Sequence, residues 1–212
     1  MPLFYQHNIN EFTKLAIWHI TEQESFFLQR VPVKRDVSHA QKRLQHLAGR
    51  YLLTELFSDF PLEEILIADT RKPYLEDEKY HFSISHCGHY AAAIVSSSYR
   101  VGVDVEKVSP TIEKIRSKFL SEEESAIAVK GLRKAGHRLR LTLLWSAKES
   151  IFKWYSLGNV NFKEHICWVN PYFNKGDGFD QLYFEFRKFV DDIPLFIHYK
   201  IFGDLVLTFV YT

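Results

Sequence analysis

The spacing of apolar positions along this chain switches between a period of two and a period near 3.6. In "VGVDVEKV" (101–108), Val101, Val103 and Val105 alternate with Gly102, Asp104 and Glu106. That alternation predicts a half-buried strand, since successive side chains point to opposite faces. Four further segments, "KLAIWHI" (14–20), "EEILIAD" (63–69), "YHFSISH" (80–86) and "YAAAIVSS" (90–97), are read as strands from their short apolar runs between polar or glycine-containing breaks. The period of two returns in "HICWVN" (165–170), "LYFEFRKFV" (182–190), "LFIHYKIF" (195–202) and "DLVLTFVYT" (204–212). These segments are read as strands, with "TRKPYLEDEK" (70–79) a polar connector and "NPYFNKGDGF" (170–179) a turn-rich loop.

Helical spacing fills the remainder. Thr21 with Glu24, Ser38 with Gln41, and Ser121 with Glu124 have the spacing of capping boxes. The first opens a short helix through "SFFLQR". The second opens a long one in which Leu44, Leu47, Tyr51 and Leu52 recur to about Phe57. From Ser109 onward "SPTIEKIRSKFL" and "SEEESAIAVKGL" read as two helices. "HRLRLTLLWSAKESIFKWYSLG" reads as a long amphipathic one closing at Gly158. Helices followed by antiparallel strands thus occur twice, which predicts an α+β fold with halves 1–106 and 107–212 packed as one functional unit. No repeat is visible in the residues themselves.

Composition narrows the class. Of 212 residues, 46% are hydrophobic, enough for a substantial core, and 18 Phe with 11 Tyr predict an interior rich in rings. The formal charge of +1 offers no global pull toward nucleic acid or an anionic membrane, so anion binding must come from a local patch. The opening "MPLFYQHNINEF" is not a secretory signal and no apolar run is long enough to span a bilayer. Cys87 and Cys167 do not form a CxxC pair, which points to free thiols and a cytoplasmic protein.

Four stretches could carry chemistry. Asp104 and Glu106 stand on one face of their strand, roughly 7 Å apart along it. They are either a solvated outer face or a cation site, since adjacent carboxylates repel unless a positive charge sits between them. In "LWSAKESIFKW", Glu149 and Lys153 share a helix face: an ordinary ion pair or a functional couple. In "FSISHCGHY", Ser85 and His86 lie at a strand end, where a protonated imidazole can donate to an anion. Lys42, Arg43, Arg50, Arg71 and Lys72 supply cations, with Pro73 stiffening the loop after Lys72. Two strand acids and one helix acid suit Mg²⁺ better than zinc, for which the Cys and His spacing is absent. The substrate class suggested is a phosphorylated small molecule.

"VGVDVE", "WSAKES" with a lysine at 153, "FSISH" and the Lys-Pro loop resemble, in order and approximate spacing, the motifs of the Sfp-type 4'-phosphopantetheinyl transferases. The likeness runs from about Arg43 to Lys153. It implies transfer of the phosphopantetheine arm of coenzyme A to a serine of an apo acyl or peptidyl carrier protein, releasing adenosine 3',5'-bisphosphate. It implies a pseudo-dimer of two similar α+β halves with the cofactor between them, working as a monomer. Mg²⁺ would be held by Asp104, Glu106 and Glu149. Glu149 would also be the base for the carrier serine, and Lys153 would hold a pyrophosphate oxygen. Arg43, Arg50, Arg71, Lys72, Pro73, Ser85, His86 and Asp104 would meet coenzyme A, with His86 near the 3'-phosphate. Arg71 stands where the family has glycine, which would strain the backbone if the position needs positive φ. Lys34 and Arg35 are weaker candidates for the 3'-phosphate. The competing reading is a catalytically silent relative that binds coenzyme A or a carrier.

Overall fold

A computed structural model describes residues 2–32, 38–174 and 178–212, with backbone alone over 170–174. Lys34 and Arg35 lie outside the described residues. The chain divides into two compact units, 1–105 with 211–212, and 106–210. Each has its own hydrophobic core.

In the first unit, strands β1 (Leu3–Asn8), β2 (Thr13–His19), β5 (His81–Cys87) and β6 (Tyr90–Ser96) form an antiparallel sheet in the order β1-β2-β6-β5. Strand β1 was not foreseen, because "LFYQHN" lacks a clean run of β-branched residues; its burial still alternates. Two helices, α1 (Glu24–Leu28) and α2 (Ala40–Leu56), accompany the sheet. Helix α2 lays Leu47, Ala48, Leu52, Leu53 and Leu56 against it. Each buried leucine contributes about 1.5–3 kcal/mol relative to exposure. Trp18, Phe27 and Tyr51 meet edge to face beneath α1, the ring-rich interior that the composition predicts.

Two of the three capping boxes are corrected. Gln23 rather than Thr21 caps α1, without a side-chain bond, and Glu22 instead accepts from the Trp18 indole. His39 caps α2, its ring accepting weakly from Lys42 N at 3.5 Å. Gln41 is thereby free to reach the Gly88 carbonyl from the first turn of the helix. The third box forms as expected: Ser121 Oγ accepts from Glu124 N and Glu124 accepts from Ser121 N. The stretch 63–69 keeps only a two-residue strand, β3 (Leu66–Ile67), after a 3-10 turn at Leu62–Glu64. The polar connector contains its partner, β4 (Pro73–Tyr74).

Strand β7 (Val101–Lys107) carries the division between the units. The second unit continues with α3 (Thr111–Phe119), α4 (Glu122–Val129) and α5 (Lys134–Tyr155). Antiparallel strands β8 (Ile166–Asn174), β9 (Asp180–Phe186), β10 (Ile193–Phe202) and β11 (Leu205–Tyr211) follow, in the order β11-β10-β9-β8. Strand β8 absorbs half of the expected loop, for its backbone pairs with β9 out to Asn174. The fold is α+β, as the alternating periods predict.

Candidate active site

Helix α5 organises the candidate residues of the second unit. From Leu141 to Tyr155 it is buried except at Trp145, Glu149, Phe152 and Lys153. Those positions are spaced by about one and two helical turns and form one open stripe. The opposite faces bury Leu141, Leu144, Ala147, Ile151 and Trp154 in the core. Glu149 and Lys153 therefore share the accessible face of a helix fixed on its other sides.

Trp145 heads that stripe. Its indole Nε1–H donates to Glu106 Oε1 at 3.3 Å. Its ring meets Phe119 at 5.1 Å and Phe162 at 5.7 Å between centroids. Lys148, three residues after Trp145 and four before Phe152, is by contrast wholly buried. The Lys148 ammonium donates to both carboxylate oxygens of Glu124, at 2.8 and 3.0 Å, and to the carbonyls of Phe119 and Phe162 at 2.9 Å. Glu124 also accepts from Trp168 N at 2.7 Å. Burial pushes the Lys148 ammonium toward its neutral form, and Glu124 opposes that shift.

The first unit supplies a buried acid and a set of cations. Asp104 is 3% exposed, so the solvated-face reading fails for it. Ser85, also buried, donates its hydroxyl to Asp104 Oδ1 at 2.7 Å. Ser83 Oγ accepts from Val103 N at 3.2 Å, tying β5 to β7 one step away. His86 is exposed and its ring meets His46 of α2, edge to face at 5.4 Å. Arg43, His46 and Arg50 lie three and four residues apart on α2, one stripe beside His86. Gly49 makes the close approach possible, since a Cβ there would sit 2.5 Å from Ile84 Cγ2. Gln45 fixes the same contact by donating to the Gly88 carbonyl at 2.7 Å. Arg43 forms a two-pronged ion pair with Glu24, at 2.6 and 2.8 Å.

The Lys-Pro loop is a hairpin between β3 and β4. Arg71 N donates to Ala68 O and Ala68 N to Lys72 O, which closes a tight turn with Arg71 as its last residue. Arg71 has φ 66, the left-handed region that favours glycine. Lys72 is half-buried; desolvation, aided by the nearby Arg100 charge, pulls its pKa down to about 8.

The structure thus joins Ser85 to Asp104, His86 to α2, and Glu106 to the α5 stripe. Among the described residues, no three His, Cys, Asp or Glu side chains are gathered so that they could hold a metal ion unaided. The donors at hand are carboxylate oxygens, the type a magnesium ion takes from one or two acids while phosphate and water complete its shell. Sequence reasoning passed over His46, Arg100, Lys148 and Glu124. His46 was legible from its helical spacing with Arg43 and Arg50; the pairing of Lys148 with Glu124, 24 residues apart, carries no local signal.

Residues 100–193 match the sequence model of the 4'-phosphopantetheinyl transferase superfamily. The matched segment contains Asp104, Glu106, Glu149 and Lys153 and leaves out Arg43, Arg50, Arg71, Lys72, Pro73, Ser85 and His86. The chain is 34% identical over 118 residues to enterobactin synthase component D of Salmonella austin, covering 55% of this chain and 49% of that protein. It is 33% identical over 138 residues to the protein of that name from Escherichia coli O157:H7, covering 62% of this chain and 63% of the other. The chain therefore spans about half the length of the Salmonella relative. The family resemblance drawn from the motifs is borne out.

Proposed function

We propose, with that superfamily match as premise, that the chain transfers the 4'-phosphopantetheine arm of coenzyme A to a serine of an apo carrier protein. The observation that carries the reading is the open stripe of α5. Over the buried stretch 141–155 of that helix, Glu149 and Lys153 are the charged groups left accessible, and Trp145 of the same stripe holds Glu106. In the reaction the carrier serine Oγ attacks the pantetheine-side phosphorus of the pyrophosphate. The Oγ–P bond forms, the bond to the bridging oxygen breaks, and adenosine 3',5'-bisphosphate leaves. Glu149 takes the hydroxyl proton, directly or through a water, and Lys153 holds an oxygen that gains charge as the anhydride breaks.

Asp104, Glu106 and Glu149 are the residues that would hold Mg²⁺. The ion, when bound, neutralises pyrophosphate charge. Ser85 orients Asp104 by donating to its Oδ1. His86, with Arg50 and His46 on the adjacent stripe, would receive the 3'-phosphate. Arg71, Lys72 and Pro73 would line the nucleotide side. Arg43 acts there through its ion pair with Glu24, which holds the start of α2 in place. No helix is long and apolar enough to cross a membrane among the described residues. The two free thiols fit a reducing cytoplasm, and one chain would suffice for activity.

Intact mass of apo acyl and peptidyl carrier proteins after incubation with this protein, coenzyme A and Mg²⁺ tests the reading. A gain of one phosphopantetheine, abolished by EDTA, is expected. Binding of coenzyme A without any gain across the panel would instead favour the silent relative.

A further inference from the structure

Trp145 belongs to the motif that carries Glu149, yet it takes no part in the bond changes of the reaction. Its surroundings are unusually determined. Phe119 and Phe162 flank its ring, and the backbone carbonyls of those same two residues are both held by the buried Lys148 ammonium at 2.9 Å. Glu124 anchors that ammonium from the first turn of α4, and the Trp168 amide anchors Glu124. The slot in which the indole lies is therefore clamped at both walls by one buried ion pair. At its open end the slot points the indole N–H at Glu106 Oε1. Trp145 remains partly exposed, unlike Trp154 of the same helix.

We propose that Trp145 is a positioning residue for Glu106: the Lys148–Glu124 pair sets the slot, the slot sets the indole, and the indole fixes the Glu106 carboxylate for a divalent cation. The inference rests on the reading of Glu106 as a cation ligand. A carboxylate at the end of a strand rotates freely about its last torsion; a donor on one oxygen selects a rotamer and presents the other oxygen in one direction. Losing such an orienting partner typically weakens metal binding about 10- to 100-fold. The N–H is what matters, so a ring without it would fill the slot and leave the carboxylate unaimed.

Trp145→Phe is the test, because phenylalanine keeps an aromatic ring between Phe119 and Phe162. Mn²⁺ is titrated into wild type and variant in the presence of coenzyme A, and bound ion is read by electron paramagnetic resonance. Thermal melts confirm that both fold. The variant is expected to bind Mn²⁺ about tenfold more weakly or worse, and its transfer reaction to need correspondingly more Mg²⁺ for half-maximal rate. In a Glu106→Ala background the same substitution is expected to change Mn²⁺ affinity by less than about twofold, because the group it orients is gone. Unchanged Mn²⁺ affinity in Trp145→Phe, or equal losses with and without Glu106, would reduce Trp145 to a packing ring while leaving the transferase reading intact. Wild type that neither binds Mn²⁺ nor modifies a carrier would overturn both.

Discussion

Helix α5 and the β3–β4 hairpin both carry candidate site residues, and they hold them by opposite means. On α5, Glu149 and Lys153 stand on a rod whose other faces are packed in a core and pinned by the fully buried Lys148. In the hairpin, two strands of two residues each present Arg71, Lys72 and Pro73 around a tight turn, with Arg71 in the left-handed region. The first arrangement obtains precision from burial, at the cost of desolvating an ion pair. The second obtains a cluster of cations on a tight turn, at the cost of backbone strain and a lysine held against its own charge. The contrast predicts where substitution should damage chemistry, where it should damage folding, and where it should help folding.

Glu149→Gln sits at the chemical extreme. The side chain is partly exposed and its loss opens no cavity, so the melting temperature should move little. Removal of a positioned base costs about a hundredfold or more in rate. Carrier modification followed by intact mass, alongside a thermal melt, checks both halves of this expectation. Near-normal turnover would remove Glu149 from the mechanism.

Lys148→Met lies at the folding extreme on the next residue of the same helix. It would strand Glu124 as a buried charge beside two carbonyls that have lost their donor, a loss of about 3–5 kcal/mol. Adding Glu124→Gln should return most of it: the amide carbonyl can still accept from Trp168 N, and its NH₂ can donate to the Phe119 or Phe162 carbonyl. Urea unfolding of the single and double variants measures the recovery. If Lys148→Met were as stable as wild type, the ion pair would not be what holds α5.

The hairpin should reveal itself in pH. With its pKa near 8, Lys72 is a cation below that value and increasingly neutral above it. Affinity for coenzyme A should therefore fall several-fold from pH 7 to pH 9, and Lys72→Arg should flatten that fall. Stability has the opposite sign. Folding lowers this pKa from 10.5, so the penalty is constant below about pH 8 and is relieved as pH rises from there toward 10.5. Calorimetric titrations at several pH values separate binding from stability. Equal slopes for wild type and Lys72→Arg would show that Lys72 is not the group responsible.

The two regions were also unequally legible. Period placed β7 closely and α5 to within three residues at each end (read over 137–158, observed over Lys134–Tyr155), because a buried helix and a strand packed on its valines obey local patterning. The motif acids followed, since i, i+2 and i, i+4 spacings fix which side chains share a face. Burial of Asp104 and Lys148 was not legible: each depends on a partner from a distant element, Ser85 for one and Glu124 for the other. Of the hairpin, β3 fell within a longer expected strand and β4 within the expected connector, because two-residue strands have no period to detect. The conflict between Arg71 and positive φ, by contrast, was legible through the resemblance, which puts a glycine at that position.

That conflict gives the smallest effect and the sharpest comparison. A non-glycine residue in the left-handed region pays roughly 1–2 kcal/mol, and glycine returns part of this as unfolded-chain entropy of about 0.5–1 kcal/mol. Arg71→Gly should therefore stabilise the first unit by about 0.5–1 kcal/mol, visible as a small rise in urea midpoint at unchanged m-value. An exposed arginine kept at a strained position should contribute something else, and the neighbouring Lys72 and Pro73 make an anionic substrate the natural object. The same variant should bind coenzyme A several-fold more weakly, with a shallower dependence on salt. Greater stability with unchanged affinity would mean that the strain serves no binding role, and that Lys72 carries the hairpin's share of recognition without it.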